Sequence, residues 1–216
     1  MSSAHPAERP ETAERATASE RILTADRIHV VGGPGAGKSV FAAHVADACG
    51  LEVHHLDETA FTGPEFTLRP YDVIHAEAQA LAERPRWIAE GIFIGWVEPL
   101  FERADVIVWL DQVSWGQAAR RIATRWVSQA VREPATRRGT ERFLRFGDYA
   151  RHTRHLVRVL ITSREYWGND GPHRYPVTRA QLREALAPHD HKVIHLTGPD
   201  ETEAMLRLIG PARSAS

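Results

Sequence analysis

Apolar residues in this chain occur in short β-branched runs that alternate with longer stretches of helical spacing. Ile28-His29-Val30-Val31 reads as a buried strand followed by glycines. Lys38–Cys49 places Phe41, Val45 and Ala48 on one helical face, and Gly50 ends it. Glu52–Leu56 predicts a second strand, 58–70 a loop with Gly63, Pro64 and Pro70, and Tyr71–Glu83 a helix. Arg86–Ala89 predicts a third strand stopped at Gly91, then a short helix over Trp96–Glu102 and a fourth, strongly apolar strand, Val106–Leu110. Helices are expected over Trp115–Ala130 and from about Arg142 to Tyr166, with a polar loop at 134–139 and a break at 168–172. Arg179–Ala187 predicts a helix, Lys192–Leu196 a fifth strand and Glu201–Ile209 a closing helix. Alternation of this kind implies an α/β fold: a parallel sheet, helices on both faces, ligands at the carboxyl ends of the strands. Residues 1–24 show no periodic apolar face and are expected to be a flexible tail, with a helix over Glu11–Leu23 as the alternative. The domain is expected to span 25–212, with an insert over about 114–175.

Composition narrows the class without naming a function. A chain of 216 residues, 43% hydrophobic and 25% charged, suits one folded domain of ordinary size. No apolar run approaches the ~20 residues of a membrane span. The N-terminal stretch lacks the apolar segment of a secretory signal. Cys49 is the sole cysteine, so no intramolecular disulfide forms and a cytoplasmic location is expected.

One motif carries specific chemistry. Gly32-Gly33-Pro34-Gly35-Ala36-Gly37-Lys38-Ser39 fits G-x-x-x-x-G-K-[ST], between a predicted strand and a predicted helix. Glycines let the backbone close round a phosphate, and the helix terminus adds its positive end. Lys38 is expected to reach the β- and γ-phosphates of ATP, and Ser39 to offer its hydroxyl to Mg²⁺. A chance match has odds on the order of one in a hundred.

Three acids end predicted strands and so should share the ligand edge: Asp57, Glu90 and Asp111. Phosphoryl transfer needs one acid for the metal or its waters and one for the acceptor. Asp57 suits the acceptor base, Glu90 the metal side or the acceptor side. Asp111 suits a Walker B role or a helix start. His54 and His55 are adjacent on a strand, face opposite ways and are not expected to share a metal. Cys49, at a helix end, is expected to be buried and chemically idle.

Charge is uneven. Net charge is −1 and only Lys38 and Lys192 are lysines, yet Ser114–Trp167 holds twelve arginines against four acids. Arg121 and Arg125, four apart, share a helical face with Arg120 beside them. An arginine-bearing lid would neutralise transferring phosphate and exclude water. Arg132, Arg137 and Arg138 flank the polar loop, and Arg151, Arg154 and Arg158 recur at helical spacing.

These segments in order, namely Ile28–Gly33, the glycine motif, His55-Leu56-Asp57, Trp87–Gly91 and Ala104–Asp111, resemble the adenylate-kinase-like P-loop kinases. Within that group the likeness is greatest to small bacterial proteins called topology modulation proteins. It covers about 27–209. It implies a P-loop three-layer sandwich, a five-stranded parallel sheet of order 2-3-1-4-5, an acceptor-covering segment after strand two and a lid after strand four. It implies Mg·ATP as donor, held by residues 32–39 with Val40. It also implies Arg121 and Arg125 as the R-x-x-x-R entering the lid, and Thr197-Gly198 near the adenine. The family's acid after strand three is Asp where this chain has Glu90, and Glu58–Arg69 shows no nucleoside-monophosphate pattern, so the acceptor stays unnamed. The expectation is therefore a kinase acting on a small molecule or nucleotide, with Lys38, Asp57, Glu90, Arg121 and Arg125 catalytic and Ser39 and Glu90 on the metal. A nucleotide-dependent regulatory module and a nucleic-acid-associated protein are the rivals. Nothing reads as a DNA-reading motif, and neither nucleic acid nor membrane is an expected partner.

Overall fold

A computed structural model of the chain describes residues 10–63, 67–132, 160–161, 163–168 and 177–210. A central sheet is built from β1 (Arg27–Gly32), β2 (Val53–His55), β5 (Trp87–Glu90), β6 (Val106–Leu110) and β7 (Val193–Leu196). All four pairings are parallel. Two further strands, β3 (Phe61–Thr62) and β4 (Thr67–Leu68), form a separate antiparallel hairpin. The sequence leaves this hairpin within a loop, because each strand is two residues long. With it counted, the sheet reads β2-β5-β1-β6-β7 rather than a plain 2-3-1-4-5; the five sheet strands taken alone lie in that expected sequence.

The sheet is buried on both faces, which is why its strands are apolar almost throughout. Odd positions of β1, β5 and β6 (Val31, Trp87, Ala89, Ile107, Trp109) pack under α4 (Tyr71–Ala82), α5 (Glu98–Arg103) and α7 (Arg179–Leu186). Even positions (Ile28, Val30, Ile88, Val106, Val108, Leu110) pack under α2 (Lys38–Cys49) and α8 (Pro199–Ile209). Period-two alternation thus assigns each side chain to one layer. It also decides that Glu90, an even position, faces α2.

Residues 10–24 correct the expected tail. Pro10–Thr24 is a helix, α1, and Ile22 in its last turn is wholly buried with Ala25, Phe41 and Val45 around it. Full burial of an isoleucine contributes roughly 1.5–3 kcal/mol. α1 packs on α2 and α8. The helix has weak amphipathicity of its own and is held by what it docks on. The five-residue helix α3 (Leu56–Ala60) follows β2 at once, and α6 (Trp115–Arg132) follows β6. The loop expected at 134–139 and most of the helix expected over 142–166 lie outside the described residues; Glu165–Trp167 forms a single 3-10 turn. No helix among the described residues is long and apolar enough to cross a membrane.

Candidate functional site

The glycine-rich loop joins β1, in the middle of the sheet, to the first turn of α2. Gly37, the N-cap of α2, has φ 93° and ψ 16°, a left-handed conformation that glycine adopts without the Cβ clash other residues meet. Gly33 lies flat against the Tyr166 ring, where a Cβ would come within 2.5 Å of Cε1. The loop is braced from three sides. Gln112 donates to the Ala36 carbonyl at 2.6 Å, Arg121 to the Gly35 carbonyl at 3.1 Å, and Lys38 Nζ to the Gly33 carbonyl at 3.1 Å. Val40, one residue past Ser39, is 72% exposed.

Ser39 opens the chemistry of the loop. Its Oγ donates to Glu90 Oε1 at 2.9 Å. His55 Nδ1 lies 2.7 Å from the same oxygen, while the Glu90 side chain is 7% exposed. His55 and Glu90 are register partners at the carboxyl ends of β2 and β5, and both face α2. A carboxylate this buried needs hydrogen-bond donors, and the serine hydroxyl and imidazole supply them. Carboxylate and hydroxyl oxygens are hard donors suited to Mg²⁺, which commonly takes one or two protein ligands and completes its shell with water and phosphate. Ser39 and Glu90 therefore fit the metal expected of them. Among the described residues, no group of three or more His, Cys, Asp or Glu side chains gathers as a metal site. His54 turns the other way from His55, toward Glu52 at 3.7 Å.

Asp57 sits in the exposed first turn of α3, just past β2. Strand β2 stops at His55, so Asp57 begins a helix instead of ending a strand. It remains at the ligand edge of the sheet.

Asp111 is drawn into a structural role. Its Oδ2 accepts from Arg179 Nη2 at 2.6 Å and Nε at 3.0 Å, and lies 3.0 Å from His195 Nε2. Burial alone would raise this carboxyl, but hydrogen bonds from His195 and Arg179 hold it below the usual range. His195 stacks on Trp109 with centroids 4.1 Å apart. Asp111 thus clasps β6, β7 and the start of α7. This clasp is a third role beside the two the sequence offers, a Walker B acid or a helix start.

Arg121, expected at the entry to a lid, reaches the loop at the Gly35 carbonyl. Arg125 stands on the same helix, but its side chain lies outside the described residues, as do Arg132 in its side chain and Arg137, Arg138, Arg151, Arg154 and Arg158. Thr197 and Gly198 follow β7, two strands from β1; the Thr197 N–H donates to Glu201 Oε2 at 2.7 Å. Cys49 is half-buried, with Sγ 3.9 Å from the Ile22 carbonyl. Sequence reasoning missed His55, Gln112 and Tyr166. A polar residue ending a strand beside another strand-end acid was the available signal for His55; Tyr166 comes into place only through tertiary packing.

No protein-family model and no curated protein matches the chain. Among solved structures it is similar to an unliganded sugar kinase from Janibacter sp. HTCC2649, at 18% identity and TM-score 0.38, over 88% of this chain and 98% of that one. It is also similar to a kinase candidate from Chloroflexus aurantiacus J-10-fl, at 12% identity and TM-score 0.40, over 85% and 97%. Likenesses this distant carry nothing about activity.

Proposed function

We propose that the chain is an ATP-dependent phosphotransferase acting on a small-molecule acceptor. The observation that carries this reading is the junction of loop and carboxylate. Lys38 and Ser39 open α2 behind a glycine loop, and Ser39 is hydrogen-bonded at 2.9 Å to a buried acid from the neighbouring strand. Bare phosphate binding would not need that acid.

In this reading the loop amides and Lys38 hold the triphosphate. Ser39 and Glu90 would hold Mg²⁺, which when bound would supply charge neutralisation to the triphosphate. His55 fixes the Glu90 carboxylate. Arg121 braces the loop, and Arg121 and Arg125 are assigned to neutralising the transferring group. Asp57 orients the acceptor and takes its proton. The new bond joins the γ-phosphorus to the acceptor oxygen as the bond to the ADP oxygen breaks. Thr197 and Gly198 are assigned to the adenine side. The regulatory-module reading differs in giving Asp57 no task.

Calorimetric titration with a non-hydrolysable ATP analogue tests the donor half. The wild-type protein should bind it with Mg²⁺ dependence, Lys38→Ala should lose most of the affinity, and Ser39→Ala should lose mainly the Mg²⁺ dependence. Equal affinity in wild type and Lys38→Ala would sink the reading.

A further inference from the structure

The acceptor side of the loop is charged in a way that restricts what it takes. Residues 56–82, from the end of β2 through α4, hold five acids (Asp57, Glu58, Glu65, Asp72, Glu77) and a single cation, Arg69. That cation is committed within the segment. Its Nη1 donates to Glu77 Oε2 at 2.8 Å and to the Thr59 carbonyl at 2.9 Å, and its Nη2 donates to Glu77 Oε1 at 2.5 Å. The pairing is bidentate, the geometry in which a guanidinium would otherwise grip a phosphate. Both helix N-termini of the segment carry their own acids: Asp57 and Glu58 in the first turn of α3, Asp72 in the first turn of α4. Among the described residues the cations that reach the loop come from elsewhere, Lys38 in the loop itself and Arg121 from α6, which follows β6 on the other side of β1.

A phosphorylated acceptor brings about two negative charges to its binding segment and needs guanidinium, ammonium or helix-terminus donors there. We infer that the acceptor carries no phosphate: it is a neutral or cationic hydroxyl compound of the polyol or amino-alcohol class, and nucleoside monophosphates are rejected by charge. Exposed Asp57 and Glu58 can accept hydrogen bonds from hydroxyl or ammonium groups, and half-buried Phe61, at the end of the same short helix, offers C–H surface. This inference rests on the phosphotransferase reading and restricts it.

Diadenosine pentaphosphate, which spans a donor and a nucleotide-acceptor site, is the probe, along with mixed pentaphosphates ending in uridine, cytidine, thymidine or guanosine. Each should bind within about threefold of ATP, because the acceptor segment's one cation, Arg69, is already paired with Glu77. Binding about 100-fold tighter than ATP by any of them, roughly 2.7 kcal/mol, overturns the inference while leaving the kinase reading in place. Absence of ATP binding itself would instead remove the reading beneath it. Glu58→Arg sets a guanidinium in the first turn of α3. It should tighten diadenosine pentaphosphate by about fivefold or more and leave ATP unchanged. No change in that variant would overturn the charge basis of the inference.

Discussion

The two flanks of the glycine-rich loop are built to opposite charge. On the β2–β5 side stand Asp57, Glu58 and Glu90, and the one arginine of 56–82 is spent on Glu77. On the β6–β7 side Arg121 reaches the loop, and the one acid at a strand end, Asp111, is neutralised by Arg179 and His195. Strand order alone produces this division, since β1 with its loop lies between the two halves of the sheet. The lesson concerns carboxylates at strand ends. Glu90 and Asp111 look alike in sequence, each closing an apolar strand. One meets a serine hydroxyl and an imidazole beside the glycine-rich loop, and the other meets a guanidinium that holds two elements together.

Breaking the acidic flank at Asp57 should have the largest effect. Asp57→Asn should cut acceptor phosphorylation by roughly 10²-fold while ATP affinity, measured by calorimetry, stays near wild type. Loss of ATP affinity with transfer intact would reverse the roles of the flanks. On the basic flank, Arg121→Ala should lower kcat by about tenfold or more and raise the KM for ATP less, as expected of a group that acts mainly on the transition state. Steady-state kinetics with ATP varied reads the split. A rise in KM alone would make Arg121 a ground-state clamp.

A smaller effect sharpens the role of His55. His55→Asn keeps a donor near the Nδ1 position and should preserve Mg²⁺ affinity, whereas His55→Ala should weaken it by about threefold to tenfold, because the buried Glu90 loses a partner. Mg²⁺ titration in the presence of the ATP analogue distinguishes them. Equal affinity in both variants would leave His55 without a positioning role.

The last effect falls outside both flanks and is on stability, leaving activity untouched. His29 is wholly buried in β1, stacked 5.0 Å from Phe101, and neither ring nitrogen has a hydrogen-bond partner among the described residues. Burial pushes its pKa down to about 3. The unfolded chain, with an ordinary histidine, binds the extra proton first as pH falls below about 6.5. Stability is therefore full above that pH and declines toward pH 3, by about 2 kcal/mol at pH 5. Denaturant unfolding at pH 7 and pH 5 should show a smaller acid loss in His29→Leu than in wild type. Equal losses would mean other groups carry the acid sensitivity.

Much of this architecture is legible before any coordinates. Val106–Leu110 is predicted residue for residue, because an uninterrupted apolar run that opens on three β-branched residues and is bounded by acids has few other fates. The β1–loop–α2 unit is legible for the same reason that it is useful, since only glycines and a following helix build such a loop. The helix α1 is legible only as the alternative to a tail, because Ile22 is buried by α2 and α8 and not by a periodic face of its own. The hairpin of β3 and β4 is too short for any period to register. In the site, Lys38, Ser39 and Glu90 can be read from motif and strand end. The pairing of His55 with Glu90 needs the β2–β5 register, and the capture of Asp111 by Arg179 needs a contact across 68 positions of sequence.

The central claim, transfer of a phosphoryl group between the two flanks, is tested most directly by following the phosphate. Wild type and Asp57→Asn would each be incubated with γ-labelled ATP, Mg²⁺ and a low-molecular-weight cell extract, and the label traced by chromatography. The account predicts a new labelled small molecule with wild type, reduced roughly 10²-fold in the variant. Label appearing only as inorganic phosphate, at the same rate with both proteins, would contradict it.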